Sequence, residues 1–265
     1  MLLIYTVYLF YKYGESMNKL YTKSELWFAI IWIIIYITGT IIFDNISSAL
    51  KIINFLTPLF YVILCTILLI WIFKNKLNTK YGLCKSPFKS KYFLFFIPLI
   101  ILISINFWFG LKSNIKFIET LIFIITMLCV GFLEEIIFRG FLFTAMKKDS
   151  LKWAIIISSL TFGFGHIINL FSANAEFLPT ILQICYATTT GFLFVILFYK
   201  GKTLLPCILT HSIFNSLSIF AANVNQTINI ITTIVIMILT LIYAVILIKI
   251  LPEQEQTINN NKELK

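Results

Sequence analysis

The sequence predicts an all-α, polytopic integral membrane protein of about eight transmembrane helices, with a polar cavity inside the membrane. Three observations predict it: the apolar bulk of the chain, eight apolar runs of spanning length, and a one-sided placement of lysines. Of 265 residues, 60% are hydrophobic and 12% charged, and the mean hydropathy is +0.95. Soluble chains carry roughly a quarter charged residues. A compact soluble domain of this length has no interior large enough for so much apolar surface. A bilayer accepts it, and at about 20 residues per span eight spans use nearly the whole chain.

The elements follow in order. The first eleven residues are apolar but too short to span, and they lack the basic flank and small-residue cleavage site of a signal peptide. Met17 opens a more typical membrane-protein start, so residues 1–16 read as a start-site extension or a surface helix within a cytoplasmic segment, 1–25. The membrane domain follows over 26–251, with apolar runs at 26–43, 52–73, 92–111, 117–146, 151–170, 179–199, 203–222 and 228–251. The fourth is long and turns polar in its second half. Short loops between the runs make neighbouring helices antiparallel. The polar tail, 252–265, reads as disordered and cytoplasmic.

Lysines test this count. With the N-terminus inside, seventeen lysines fall on the cytoplasmic side, among them the six of the 74–91 loop, against Lys51, Lys112 and Lys116 outside. That is the asymmetry of the positive-inside rule, and one span more or fewer would scramble it. The lysines therefore account for the net charge of +10 without nucleic acid. Five scattered cysteines with no CxxC pair give neither a disulfide framework nor a cysteine zinc site. The partners implied are membrane lipid and a peptide or small-protein substrate; an oligomeric state is not implied.

Few ionisable side chains remain in the spans: Glu134, Glu135, Arg139, His166 and His211, with Glu119 near an outer end. Arg139 is the sole arginine, and the two histidines are the only ones. Mid-membrane charges cost at least ~2.5–3.5 kcal/mol each, so such residues are functional candidates. Glu135 and Arg139 are four apart with the acid first, the better order for a helical ion pair. Glu134 points about 100° away and need not share that partner. Phe162 and His166 are four apart, as are His211 and Asn215. Counted from the cytoplasmic helix ends at 1.5 Å per residue, Glu134, His166 and His211 lie roughly 18, 22 and 12 Å deep. Three helices thus bring polar groups to one layer.

Glu134-Glu135-x-x-x-Arg139, Phe162-x-x-x-His166 and His211-x-x-x-Asn215 resemble, in order, the three motifs of the CPBP (CAAX protease and bacteriocin-processing, or Abi) intramembrane proteases. This family includes the type II CAAX prenyl endopeptidases and the lysostaphin-resistance-protein-A-like proteins. The resemblance covers a core at 117–222. It implies an endopeptidase in which Glu134 activates water, His166 helps hold that water, and His211 with Asn215 stabilises the oxyanion. Glu135 and Arg139 look like structural support, with Phe162 packing behind. Cofactors stay open: a metal-free water is consistent with the set, and so is zinc held by Glu134, His166 and His211, although no HExxH occurs.

Each residue also has a plainer role. An isolated membrane histidine or asparagine is commonly an interhelical hydrogen-bonding group, and Glu119 and Glu176 read as solvated interfacial acids. Two other functions fit parts of the pattern. One is a bacteriocin-immunity or regulatory protein of the same fold, acting by binding or by proteolysis. The other is a proton-coupled transporter, which the absence of a visible repeat disfavours. An Ile-, Lys-, Asn- and Phe-rich composition points to a bacterial plasma membrane, with both termini cytoplasmic, and to leader peptides or pheromone precursors as substrates.

Overall fold

A computed structural model describes residues 14–50, 55–86, 94–113, 115–171 and 177–251. The polar tail at 252–265 and most of the segment 1–16 lie outside the described residues, as do Lys51, Lys89, Lys91 and Glu176.

Among the described residues, a helical stretch over 14–23 is followed by eight helical segments. They are α1 (Glu25–Ala49), α2 (Leu56–Lys74), α3 (Leu94–Phe107), α4 (Phe117–Met146), α5 (Leu151–Leu170), α6 (Phe177–Gly201), α7 (Leu205–Phe220) and α8 (Gln226–Ile250). Each apolar run yields one segment, but the expected count of eight full spans does not follow. Six are long and apolar enough to cross a membrane; α3 and α7 each have fewer than 18 residues. The described residues contain no strand, only an isolated antiparallel bridge between Leu111 and Ala221.

Local chemistry explains the helix starts. Ser24, Ser150 and Asn225 are extended N-cap residues whose side chains accept from the backbone N–H of Trp27, Trp153 and Ile228, meeting one of the orphan donors of each first turn. Proline opens α7 and the regular part of α3, where a missing N–H costs nothing. The outer faces keep Ile34, Ile42, Ile70, Ile238 and Ile242 about half exposed. On a soluble protein such a surface would aggregate; in a bilayer it is the lipid contact. The chain is an integral membrane protein.

The interior is a bundle in which α6 packs against α5 and α8, and α4 against α2 and α7. The α4–α7 contact is close because of Gly131. A Cβ there would lie 2.7 and 2.8 Å from the backbone N and Cα of Ser212. Ser212 Oγ donates to the Leu128 carbonyl across the same seam at 3.2 Å. At one end of the bundle, Glu25 takes ion pairs from both Lys80 and Lys148 at 2.7 Å. Burial, then Lys202 and Lys80, hold Lys147 below the ordinary lysine value. The basic loops expected on one side thus gather at one end of the bundle.

Candidate active site

The site begins where α4 changes pitch. Over Glu135–Phe143 the helix is a π-helix, with every residue buried. Its i→i+5 hydrogen bonds make it rare, and where π-turns occur they are often at functional positions. Neighbours support it: Ser158 Oγ on α5 donates to the Phe138 carbonyl at 2.8 Å, and Thr144 Oγ1 to the Arg139 carbonyl at 3.4 Å.

Glu135 and Arg139 are fully buried, with Oε1 and Nη1 3.0 Å apart. The guanidinium carbon sits 3.9 Å from the centre of the Phe162 ring, and Phe194 lies further off at 5.8 Å. Gly191 on α6 leaves the space, since a Cβ there would lie 3.1 Å from Nη2 and 3.2 Å from Phe162. Among the described residues no guanidinium nitrogen has a well-formed hydrogen bond. The cation is therefore held by the carboxylate and an aromatic face. Phe162 packs as expected, but against the arginine as well as beside His166.

The second carboxylate faces elsewhere, as the helix spacing predicts. Glu134 Oε1 accepts a hydrogen bond from the Tyr36 hydroxyl of α1 at 2.8 Å. Yet both glutamates reach one imidazole: His211 Nδ1 is 2.9 Å from Glu135 Oε1, and Nε2 is 3.5 Å from Glu134 Oε2. Glu135 therefore does more than pair with Arg139. It fixes the His211 ring on α7, so that the other nitrogen faces Glu134. Phe162 stands edge-on between the two histidines, 5.7 Å from His166 and 5.8 Å from His211.

Two adjoining cavities meet at these side chains. One, of about 240 Å³, is lined by Tyr36, Tyr61, Glu134, His166, Gln183 and Asn215 among others. The second, of about 100 Å³, is lined by His166, Gln183, Tyr186, Thr190, His211 and Asn215. His166 and Asn215 line both, Glu134 lines the first and His211 the second.

Zinc was the open cofactor. Among the described residues no three His, Cys, Asp or Glu side chains converge in a metal-holding arrangement. Zinc needs ligand atoms about 2.0–2.2 Å from the ion. Nδ1 of His211 faces Glu135, while Nε2 is turned toward Glu134 at 3.5 Å, the orientation that a zinc-ligating histidine takes. Glu134, His166 and His211 would be the residues to hold the ion, and no catalytic step is routed through it.

Sequence reasoning missed Tyr36 and the Glu135–His211 link. Tyr36 carried no signal, being one of twelve tyrosines in an apolar run. The link joins residues 76 positions apart, which no local spacing could show.

No curated protein and no solved structure matches the chain. Residues 116–217 match the family model described as type II CAAX prenyl endopeptidase Rce1-like. That segment runs from the start of α4 into α7 and holds Glu134, Glu135, Arg139, Phe162, His166, His211 and Asn215, while Tyr36 lies outside it. Over residues 116–217 the chain is similar to the CPBP/CAAX protease family.

Proposed function

We propose that this chain is an intramembrane endopeptidase that hydrolyses peptide bonds of membrane-associated peptides or small proteins with a water activated by Glu134. One observation carries the reading. Two adjacent buried carboxylates have different duties: Glu135 takes the sole arginine, while Glu134 faces a cavity shared with His166 and Asn215. A carboxylate without a cationic partner in an apolar surround is suited to accept a proton.

In this mechanism water sits in the cavity between Glu134 and His166. Glu134 takes its proton as the oxygen bonds to the scissile carbonyl carbon, and the carbonyl electrons move onto oxygen. The Asn215 amide N–H and His211 stabilise that oxyanion. The geometry refines the part of His211. A neutral ring carries one proton, and with Nδ1 facing Glu135 that proton sits there. Donation from Nε2 therefore takes the imidazolium, which forms when the proton on Glu134 passes across the 3.5 Å gap. The same proton then goes to the leaving amine as the C–N bond breaks, giving a carboxylic acid and an amine with Glu134 and His211 back in their starting states. His211 thus acts as a proton carrier oriented by Glu135 as well as an oxyanion donor.

The test is cleavage of a membrane-peptide library by purified wild type and Glu134→Gln, with and without a strong chelator. Cleavage by wild type alone, surviving the chelator, supports the mechanism. Loss on chelation with recovery on zinc overturns its metal-free form. Full activity of Glu134→Gln removes Glu134 as the base. No cleavage by wild type shifts the reading to an immunity or regulatory role in the membrane.

A further inference from the structure

Resting on that reading, we propose that Tyr36 is a positioning residue for Glu134, so that the working unit extends beyond the family segment to include α1. Tyr36 is 8% exposed and lies 98 positions before Glu134, yet its hydroxyl donates directly to Oε1 at 2.8 Å. The opposite carboxylate oxygen, Oε2, faces His211. A carboxylate gripped on one oxygen cannot rotate about its last bond, and Oε2 stays presented to the histidine and the cavity. Without the hydroxyl, the group samples its broad, roughly two-fold terminal torsion.

The tyrosine is itself held in place. Thr40 Oγ1, one turn on, donates to the Tyr36 carbonyl at 2.7 Å. That uses the only Thr40 proton, so the 3.0 Å contact between Thr40 Oγ1 and Tyr61 Oη has the tyrosine as donor. Tyr61 comes from α2, and its ring lies 5.6 Å from that of Tyr36. Both rings line the Glu134 cavity. Helices α1 and α2 thus form a braced wall that reaches the base through the Tyr36 hydroxyl.

The experiment compares wild type, Tyr36→Phe, Glu134→Gln and a control, Tyr243→Phe, which removes a buried hydroxyl on α8 that makes no hydrogen bond among the described residues. Initial rates are normalised to folded protein by thermal unfolding in the same detergent. A hydrogen bond to a charged group corresponds to about a ten- to hundredfold loss of kcat in Tyr36→Phe. KM is expected to stay near wild type, because the hydroxyl acts on the base and not on the substrate. Tyr243→Phe is expected to keep its rate. A parallel fall in folded fraction and rate, with kcat per folded molecule intact, overturns the proposal in favour of a structural role. Intact kcat in Tyr36→Phe beside an inactive Glu134→Gln overturns it and leaves Glu134 as the base. An active Glu134→Gln overturns the base reading and the proposal together. Should Tyr36→Phe fail to fold, the infrared carboxylate band of wild type, referenced to Glu134→Gln, decides: a band at the position of an unbonded carboxylate overturns the proposal.

Discussion

Arg139→Leu separates the structural carboxylate from the chemical one. Glu135 and Arg139 are each 0% exposed, so removing the guanidinium leaves a carboxylate with no water to turn to. Breaking a buried pair by deleting one partner costs about 3–5 kcal/mol. Glu135 retains the His211 Nδ1 contact at 2.9 Å, which places the expected loss toward about 3 kcal/mol. For a chain of this size each kcal/mol moves the melting temperature by about 2–4 °C, so the drop is on the order of 10 °C. Thermal unfolding in detergent micelles, followed by intrinsic fluorescence, measures it. The second arm is Glu135→Gln in the Arg139→Leu background. It removes the stranded charge while keeping the shape, and is expected to recover most of the lost stability. It does not recover activity, because the amide gives His211 a weaker anchor than a carboxylate. A single variant melting within about 2 °C of wild type, or a double variant no more stable than the single, would refute the charge argument.

Three further outcomes follow from particular contacts. Gly131→Val sets a branched side chain against the Ser212 backbone, 2.7 Å from its nitrogen even at Cβ. It is expected to push α7 from α4 and sharply lower peptide cleavage, and an unchanged rate argues against that seam positioning His211 and Asn215. Ser158→Ala removes the bond to the Phe138 carbonyl and should cost about 1 kcal/mol, read as a shift in unfolding midpoint. Gly191→Leu drives a side chain into the space of the Arg139 guanidinium and Phe162; it is expected to destabilise far more than Gly191→Ala, and equal melting temperatures would contradict the packing.

How much of this was legible depended on the range of each signal. Hydropathy located α1 to α8 but not the helical stretch over 14–23, and it overstated two. The run 92–111 ends beyond its helix, because Gly110 takes φ +99° and the chain turns into the bridge between Leu111 and Ala221. The run 203–222 starts early, because Thr203 and Leu204 bond back to Gly82 and Cys84 before Pro206 opens α7. Apolarity reports transfer into lipid and says nothing about where a backbone turns. The Glu135–Arg139 pair was legible because it is local. The shared histidine was not, because it depends on the long-range approach of α7 to α4.

The two acids stand side by side with different partners. Glu134 and Glu135 address the two nitrogens of His211 from one helix. The charges then balance in a way that suits proton movement. Arg139 compensates Glu135 permanently, from inside the protein and under an aromatic ring. Glu134 has a neutral hydroxyl for a neighbour and no fixed cation. In the proposed mechanism a proton taken from water thus moves between Glu134 and His211 while the buried ion pair stays unchanged. The cost of holding charge in the membrane falls on the structural pair, and the chemistry is left with a group whose charge is free to change.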